Sequence, residues 1–322
     1  MYKYLLAGVS ALAMTSGSVL AWSDDEQRAK EFFKKGLENK AESYLTTKVE
    51  NALDGKVGEF EINISDFSEG EGIISLLYLR PLSETATSNT FLQGSLTSQD
   101  GDMTVNLGIA RRWAVSDGNI LLGLNAFYDN EFDVGHSRAS IGAEVLTSVG
   151  DLRINSYTAL SDAEMNDDED REEVALDGTE MELAIPLPYL PNTRLQMNSF
   201  SWEGDEGAED LEGTTTGLRA TLPRGFELEA GSISYDNDDR EDEDFIALNF
   251  NVTRFRNAAK FGQPVLVSDK AYALQSVVER RYEKVRRSNI ITIAATQSGF
   301  NFQTGTVVGT IDITGTDADL NE

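Results

Sequence analysis

The residue types that most often do chemistry are scarce in this chain. There is no cysteine, which removes disulfides, thiolate zinc sites and cysteine catalysis. The one histidine, His136, follows Gly135 with no companion acid or hydroxyl at catalytic spacing, so it reads as structural and no catalytic constellation or cofactor site is expected. What remains is charge. Lys270, Arg280, Arg281, Lys284, Arg286 and Arg287 form a basic cluster opposed over that stretch only by Asp269, Glu279 and Glu283. Elsewhere acids dominate: 55 Asp and Glu against 27 Lys and Arg give a net charge of −28. That excess repels phosphate backbones, which sets nucleic acid aside as a partner. The chemistry open to these residues is either ion pairing with carboxylates from elsewhere in the chain or plain solvation of a periplasmic or exterior helix.

The elements that would carry those carboxylates are strands. From Met103 the chain alternates strictly, with Met103, Val105, Leu107 and Ile109 on one face and Asp102, Thr104, Asn106 and Gly108 on the other. Ala139, Ile141, Ala143 and Val145 oppose Arg138, Ser140, Gly142 and Glu144 in the same way. With less clean runs included, near Ile73 (apolar on both faces) and from Leu152 and Leu195, twelve segments occur, near residues 58–66, 71–80, 88–97, 102–112, 119–128, 137–147, 151–160, 178–186, 193–202, 212–222, 225–235 and 245–254. Each is about ten residues long, the length of a tilted strand crossing a bilayer, and an even count leaves both ends of the set on one side. If the apolar faces meet lipid, then Glu59, Glu61, Glu144, Glu180 and Glu182 point into a lumen.

The connections distinguish a membrane barrel from a soluble sandwich, which would alternate as well. Residues 161–173, 203–210 and 236–244 hold eight, five and seven acids, opposed only by Arg171 and Arg240. Five of the six prolines, Pro81, Pro186, Pro188, Pro191 and Pro223, fall on the other set of connections, which are short. One rim is therefore long and acidic and the other short and rigid, the asymmetry of an outer-membrane barrel. The acidic loops suit diffuse divalent-cation binding or plain solubility. Asp236 to Glu241 lacks the glycine and ligand spacing of a calcium loop.

Lys3, the apolar run from Leu5 to Met14 and the small residues before Ala21 read as a signal peptide over residues 1–21. Residues 22–56 follow as a periplasmic segment, in which Phe32, Phe33, Leu37, Ala41, Tyr44, Leu45, Val49 and Leu53 predict an amphipathic helix. The barrel is expected over 57–256, a linker of helical pattern over 257–291, and a short tail over 292–322.

The stretch Leu122-Gly123-Leu124-Asn125-Ala126-Phe127-Tyr128-Asp129, followed by Gly135-His136-Ser137-Arg138, resembles the central hairpin of the intimin/invasin family, the inverse autotransporters. Arg281-Tyr282-Glu283-Lys284-Val285-Arg286-Arg287 is similar to that family's linker. The resemblance implies a twelve-stranded outer-membrane barrel with a periplasmic N-terminal segment and a linker threaded through the lumen. With the helical patterns read above, the expected fold is an all-β, twelve-stranded antiparallel transmembrane β-barrel with an N-terminal amphipathic helix and a C-terminal helical linker through the lumen. The resemblance further implies Asn125, Phe127, Tyr128, Asp129, Gly135 and His136 as hairpin-motif residues, and Arg280, Arg281, Tyr282, Lys284, Arg286 and Arg287 as the lumenal part of the linker. In the family, that linker exports an adhesive passenger. Here 31 residues follow Ile291, fewer than an immunoglobulin-like domain needs, so the expected product is a surface tail, with Gly305 to Ile313 either a strand or disordered. The alternative is a channel or a passenger-less structural barrel. Such a protein implies outer-membrane lipids, barrel-assembly machinery and periplasmic chaperones as partners.

Overall fold

Alternation dictates that each strand has a wet face and a greasy face, and closure into a ring lets all the wet faces meet. The computed structural model describes residues 59–65, 73–99, 102–166, 171–204, 210–236, 240–251, 264–272, 275–295, 302–306 and 309–312. In chain order the strands begin with β1 (Glu59–Ser65), β2 (Ile73–Glu84), β3 (Ser88–Gln99), β4 (Asp102–Val115), β5 (Ile120–Glu131), β6 (Ser137–Thr147) and β7 (Asp151–Ala159). There follow β8 (Glu164–Asn166), β9 (Arg171–Ala175), β10 (Asp177–Leu187), β11 (Leu190–Glu203), β12 (Leu211–Thr221), β13 (Phe226–Tyr235) and β14 (Glu243–Asn251). After the linker come β15 (Ile293–Ala295), β16 (Phe302–Thr306) and β17 (Gly309–Asp312).

Twelve of these, all but β8, β9 and β15 to β17, form a closed barrel in which every neighbour is antiparallel. Pairing of β1 with β14, with Ile62 opposite Phe250, completes the ring and leaves no edge. Prolines are tolerated where the ladder breaks: the register shifts at Pro81 in β2 and at Pro186 in β10. Pro81 therefore lies within β2, which runs on to Glu84, rather than after it.

The barrel is inverted relative to a soluble protein. On β5, Leu121, Asn125, Phe127, Asp129 and Glu131 are buried, while Leu122, Leu124 and Tyr128 are exposed. The exposed set continues around the wall through Leu107, Ile109, Ile141, Ile154, Met181, Met197, Leu218 and Ile246, with Ile141 67% exposed. A contiguous apolar belt of this kind needs lipid as its solvent. Among the described residues no helix is long and apolar enough to cross a membrane; the apolar belt is carried by the barrel strands.

Two sequence expectations change here. The linker is not helical: from 275 to 292 it is extended, apart from one 3-10 turn at Val278–Tyr282. The physical reason is that its charges answer to opposite walls, which an extended chain reaches with successive side chains and a helix does not. The tail forms two strands, β16 and β17, in place of one run from Gly305 to Ile313. They escape the instability of a lone strand by joining a sheet of order β17-β16-β15-β9-β8, whose β8 and β9 belong to the connection between β7 and β10. Residues 1–58, which include the expected signal peptide and amphipathic helix, lie outside the described residues.

Candidate functional site

The lumen is occupied by the chain itself. At the short-turn end the β4–β5 turn runs through Ser116, Asp117 and Gly118, all with left-handed φ, and offers Gly118 O to Val277 N at 2.8 Å. The 3-10 turn follows, and its end is pinned by side chains. Arg280 makes a two-pronged contact with Asp151, at 2.8 and 2.7 Å, and also pairs with Glu283 at 2.7 Å. The fork of a guanidinium matches a carboxylate in this way, which fixes direction as well as distance. Arg281 pairs with Glu84, and the Tyr282 hydroxyl donates to the same carboxylate at 2.6 Å.

Deeper in the barrel the pairs become buried. Lys284 meets Glu61 on β1. Arg286 donates to both oxygens of Glu229 on β13, at 2.6 and 2.7 Å, and lies 3.4 Å from Glu182 and from Glu227. Arg287 turns the other way, to Asp129 on β5 at 2.5 and 2.9 Å, with its guanidinium 4.7 Å from the centre of the Phe127 ring. β5 and β13 stand six places apart in the ring of twelve, so adjacent arginines brace diametrically opposite walls. Arg286, Arg287, Asp129 and Glu229 are almost fully buried. Ion pairs this dry stabilise only when every partner is present, and removal of one partner costs about 3–5 kcal/mol.

An extended chain also exposes backbone groups, and the wall satisfies them with side chains. Gln93 on β3 acts as a one-residue ladder, accepting from Val285 N at 2.7 Å and donating to Val285 O at 3.1 Å. Asn89 donates to Arg281 O at 2.8 Å, Asn155 to Arg286 O at 3.1 Å, Arg138 to Ser288 O at 3.0 Å and Asn106 to Asn289 O at 2.9 Å. Ser288 N donates to the Tyr157 hydroxyl at 2.9 Å. Contacts to the main chain grip any extended polypeptide, whereas the ion pairs select this one. Val285 fills an apolar gap among Leu77, Leu79, Phe91 and Phe127. Cavities of about 40 and 180 Å³ remain beside the linker.

The expected residues are distributed as follows. Glu61 and Glu182 contact linker cations directly. Glu180 accepts from Tyr157 and, at 3.2 Å, from Ser288 N. Glu144 engages Arg112 at 2.6 Å and Arg153 at 3.6 Å, both from the wall. Glu59 opens β1 in register with Leu79. In the hairpin motif Asn125 faces inward near Gly142, Tyr128 faces outward, and Asp129 is shared by Arg138 and Arg287. Gly135 takes a φ of +108°, and buried His136 places Nε2 3.7 Å from Glu173 on β9.

Several wall residues that touch the linker were not expected to do so from the sequence: Arg112, Arg138, Arg153, Glu84, Asp151 and Glu229. Their signal was present for most, because Arg138 shares the polar face of its strand with Glu144, and Arg112 that of Asn106. The aromatic residues inside the lumen had no such signal. Phe200, Trp202 and Phe245 turn inward at the acidic end, where they pack with Val174, Leu176 and Ala294. Gly178 makes room for this, since a Cβ there would collide with the Trp202 ring.

A family model described as the inverse autotransporter beta-domain matches residues 11–289. An Escherichia coli (strain K12) protein named as an attaching and effacing protein homolog is 26% identical over 203 residues, covering 62% of this chain and 66% of that protein. A second protein of the same organism, the uncharacterized protein YchO, is 25% identical over 224 residues, covering 66% of this chain and 46% of its own length. The chain thus spans less than two thirds of each of these relatives. A solved chain from a study called "Unveiling the Mechanism Behind the in-meso Crystallization of Membrane Proteins" shares the fold, with a TM-score of 0.61 and 20% identity, over 74% of this chain and 99% of that one.

Proposed function

Because the chain belongs to the inverse autotransporter beta-domain family, we propose that this barrel of the Gram-negative outer membrane is a translocator that conveys its own C-terminal segment to the cell surface. The observation that supports this most directly is the linker itself, which runs extended through the lumen with Arg286 and Arg287 braced against opposite walls. Lys284 and Arg280 add cationic contacts nearer the short-turn end. In this reading the short turns face the periplasm and the acidic connections face outward, so polypeptide beyond residue 292 is displayed outside. Lipid surrounds the wall. Barrel-assembly machinery and periplasmic chaperones serve its insertion, and divalent cations gather diffusely at the acidic loops.

The alternative is a conducting channel, and bilayer conductance separates the two. The full chain should conduct weakly, and deletion of residues 260–322 should raise conductance markedly. High steady conductance from the full chain, unchanged by the deletion, would replace the translocator reading with the channel.

A further inference from the structure

We propose that β9 is a capture strand: its inner edge, at the acidic end of the lumen, pairs with polypeptide emerging from the barrel and templates its addition to a surface sheet. This rests on the translocator reading above and adds a receptor for the exported chain. Thr292 is still fully buried, and its carbonyl already accepts from Leu176 N at 2.9 Å. The next residues continue that ladder, with Ile293 opposite Ala175, Ala294 opposite Val174 and Ala295 opposite Glu173. Polypeptide leaving the lumen therefore passes within three residues from the side-chain hydrogen bond at Asn289 to a strand partner at Thr292.

The template is held in place independently of what it captures. Val174 and Leu176 are rooted in the apolar cluster with Trp202, Leu211 and Phe245. Glu173 lies beside His136 of the β5–β6 connection, at 3.7 Å. On its outer edge β9 is paired with β8 through Glu164 and Glu173. The inner edge selects shape more than sequence: a backbone ladder accepts any extended segment, while the side toward the barrel admits short side chains such as buried Thr292 and Ala294. Once β15 is seated, it presents the edge on which β16 adds, and β16 presents the edge for β17. The ligand class is thus an extended peptide with small residues at alternate positions, supplied by this chain itself.

Ladder parity gives a selective test. Since Leu176 N bonds toward β15, Val174 N does too, whereas Glu173 N turns to β8. Val174→Pro removes a donor from the capture edge alone. Ala294→Trp is the second variant, blocking the seat from the captured side without altering any linker charge. In the full chain, each should raise proteolysis between residues 296 and 322 by about tenfold, as expected when a local opening becomes that much more populated. Conductance should stay at the level of the unchanged chain. Ala175→Cys with Ile293→Cys occupies the closer, non-hydrogen-bonded pair and should form a disulfide on intact cells, unambiguous in a chain without cysteine. Failure of that disulfide, or unaltered proteolysis in both variants, overturns the capture strand. Proteolysis that rises together with conductance overturns it as well, because β9 would then merely seat the linker. High conductance of the unchanged chain would instead remove the translocator reading, and this inference with it.

Discussion

Asp129 carries more than one charge pair. It accepts from Arg138 at 3.0 Å, from Arg287 at 2.5 Å and from Asn106 at 2.9 Å, and it has no exposure to water. Two guanidinium groups that close would repel each other without a carboxylate between them, so the wall and the linker share one anion. Asp129→Ala leaves both arginines buried with that partner gone and should cost about 3–5 kcal/mol. Glu61→Ala, which removes the partner of the less deeply buried Lys284, should cost less, because water partly replaces the lost carboxylate. Thermal unfolding in detergent, followed by the mobility shift of folded barrel, measures both. Adding Arg287→Leu to Asp129→Ala should restore part of the loss, since it removes one of the stranded charges. An equal loss in single and double variants would mean that the linker arginine is not coupled to Asp129.

At the scale of elements, the linker is held by two kinds of bond with different chemistry. Replacing Arg280, Arg281, Lys284, Arg286 and Arg287 together by glutamate places five anions opposite Asp151, Glu84, Glu61, Glu229 and Asp129. Backbone contacts from Gln93 and Asn155 cannot offset repulsion on that scale, so the linker should leave the lumen, raising bilayer conductance and tail cleavage. The wall, held by its own ladder, should still resist detergent. Unchanged conductance and cleavage would mean that packing, not charge, retains the linker. The strands that surround it were legible because lipid on one side and water on the other enforce period two, as in Met103 to Ile109. The basic cluster was legible as a segment in need of carboxylates, but its conformation was not. Arg280, Lys284 and Arg287 fall at helical spacing, and only the positions of Asp151, Glu61 and Asp129 on separate strands show that a helix would miss them. Equally hidden was the pairing of Val174 with Ala294, which leaves no local pattern because its partners lie far apart in the chain. The inward aromatics at Phe200, Trp202 and Phe245 were hidden for another reason: alternation alone assigns large apolar residues to lipid, yet the acidic end of the lumen is filled by them.

The whole molecule has a polarity that its strand count imposes. With twelve barrel strands, β1 begins and β14 ends at the short-turn rim, and the linker rises into the lumen from that same rim beside Gly118 and Ser148. The chain therefore crosses the wall twelve times, returns to its starting side and leaves through its own centre toward the acidic connections. An exported barrel is assembled from the periplasm, and short turns on that side with long loops on the other are the rule for such proteins. Most of the net charge of −28 then lies outside the membrane, where water solvates it at no cost. An epitope inserted between Glu206 and Gly207, in the β11–β12 connection, should be labelled by antibody on intact cells. One inserted in the Pro223–Gly225 turn should be labelled only after the outer membrane is opened. The reverse pattern would invert the barrel, send the linker from outside to inside, and remove the basis for export along this path.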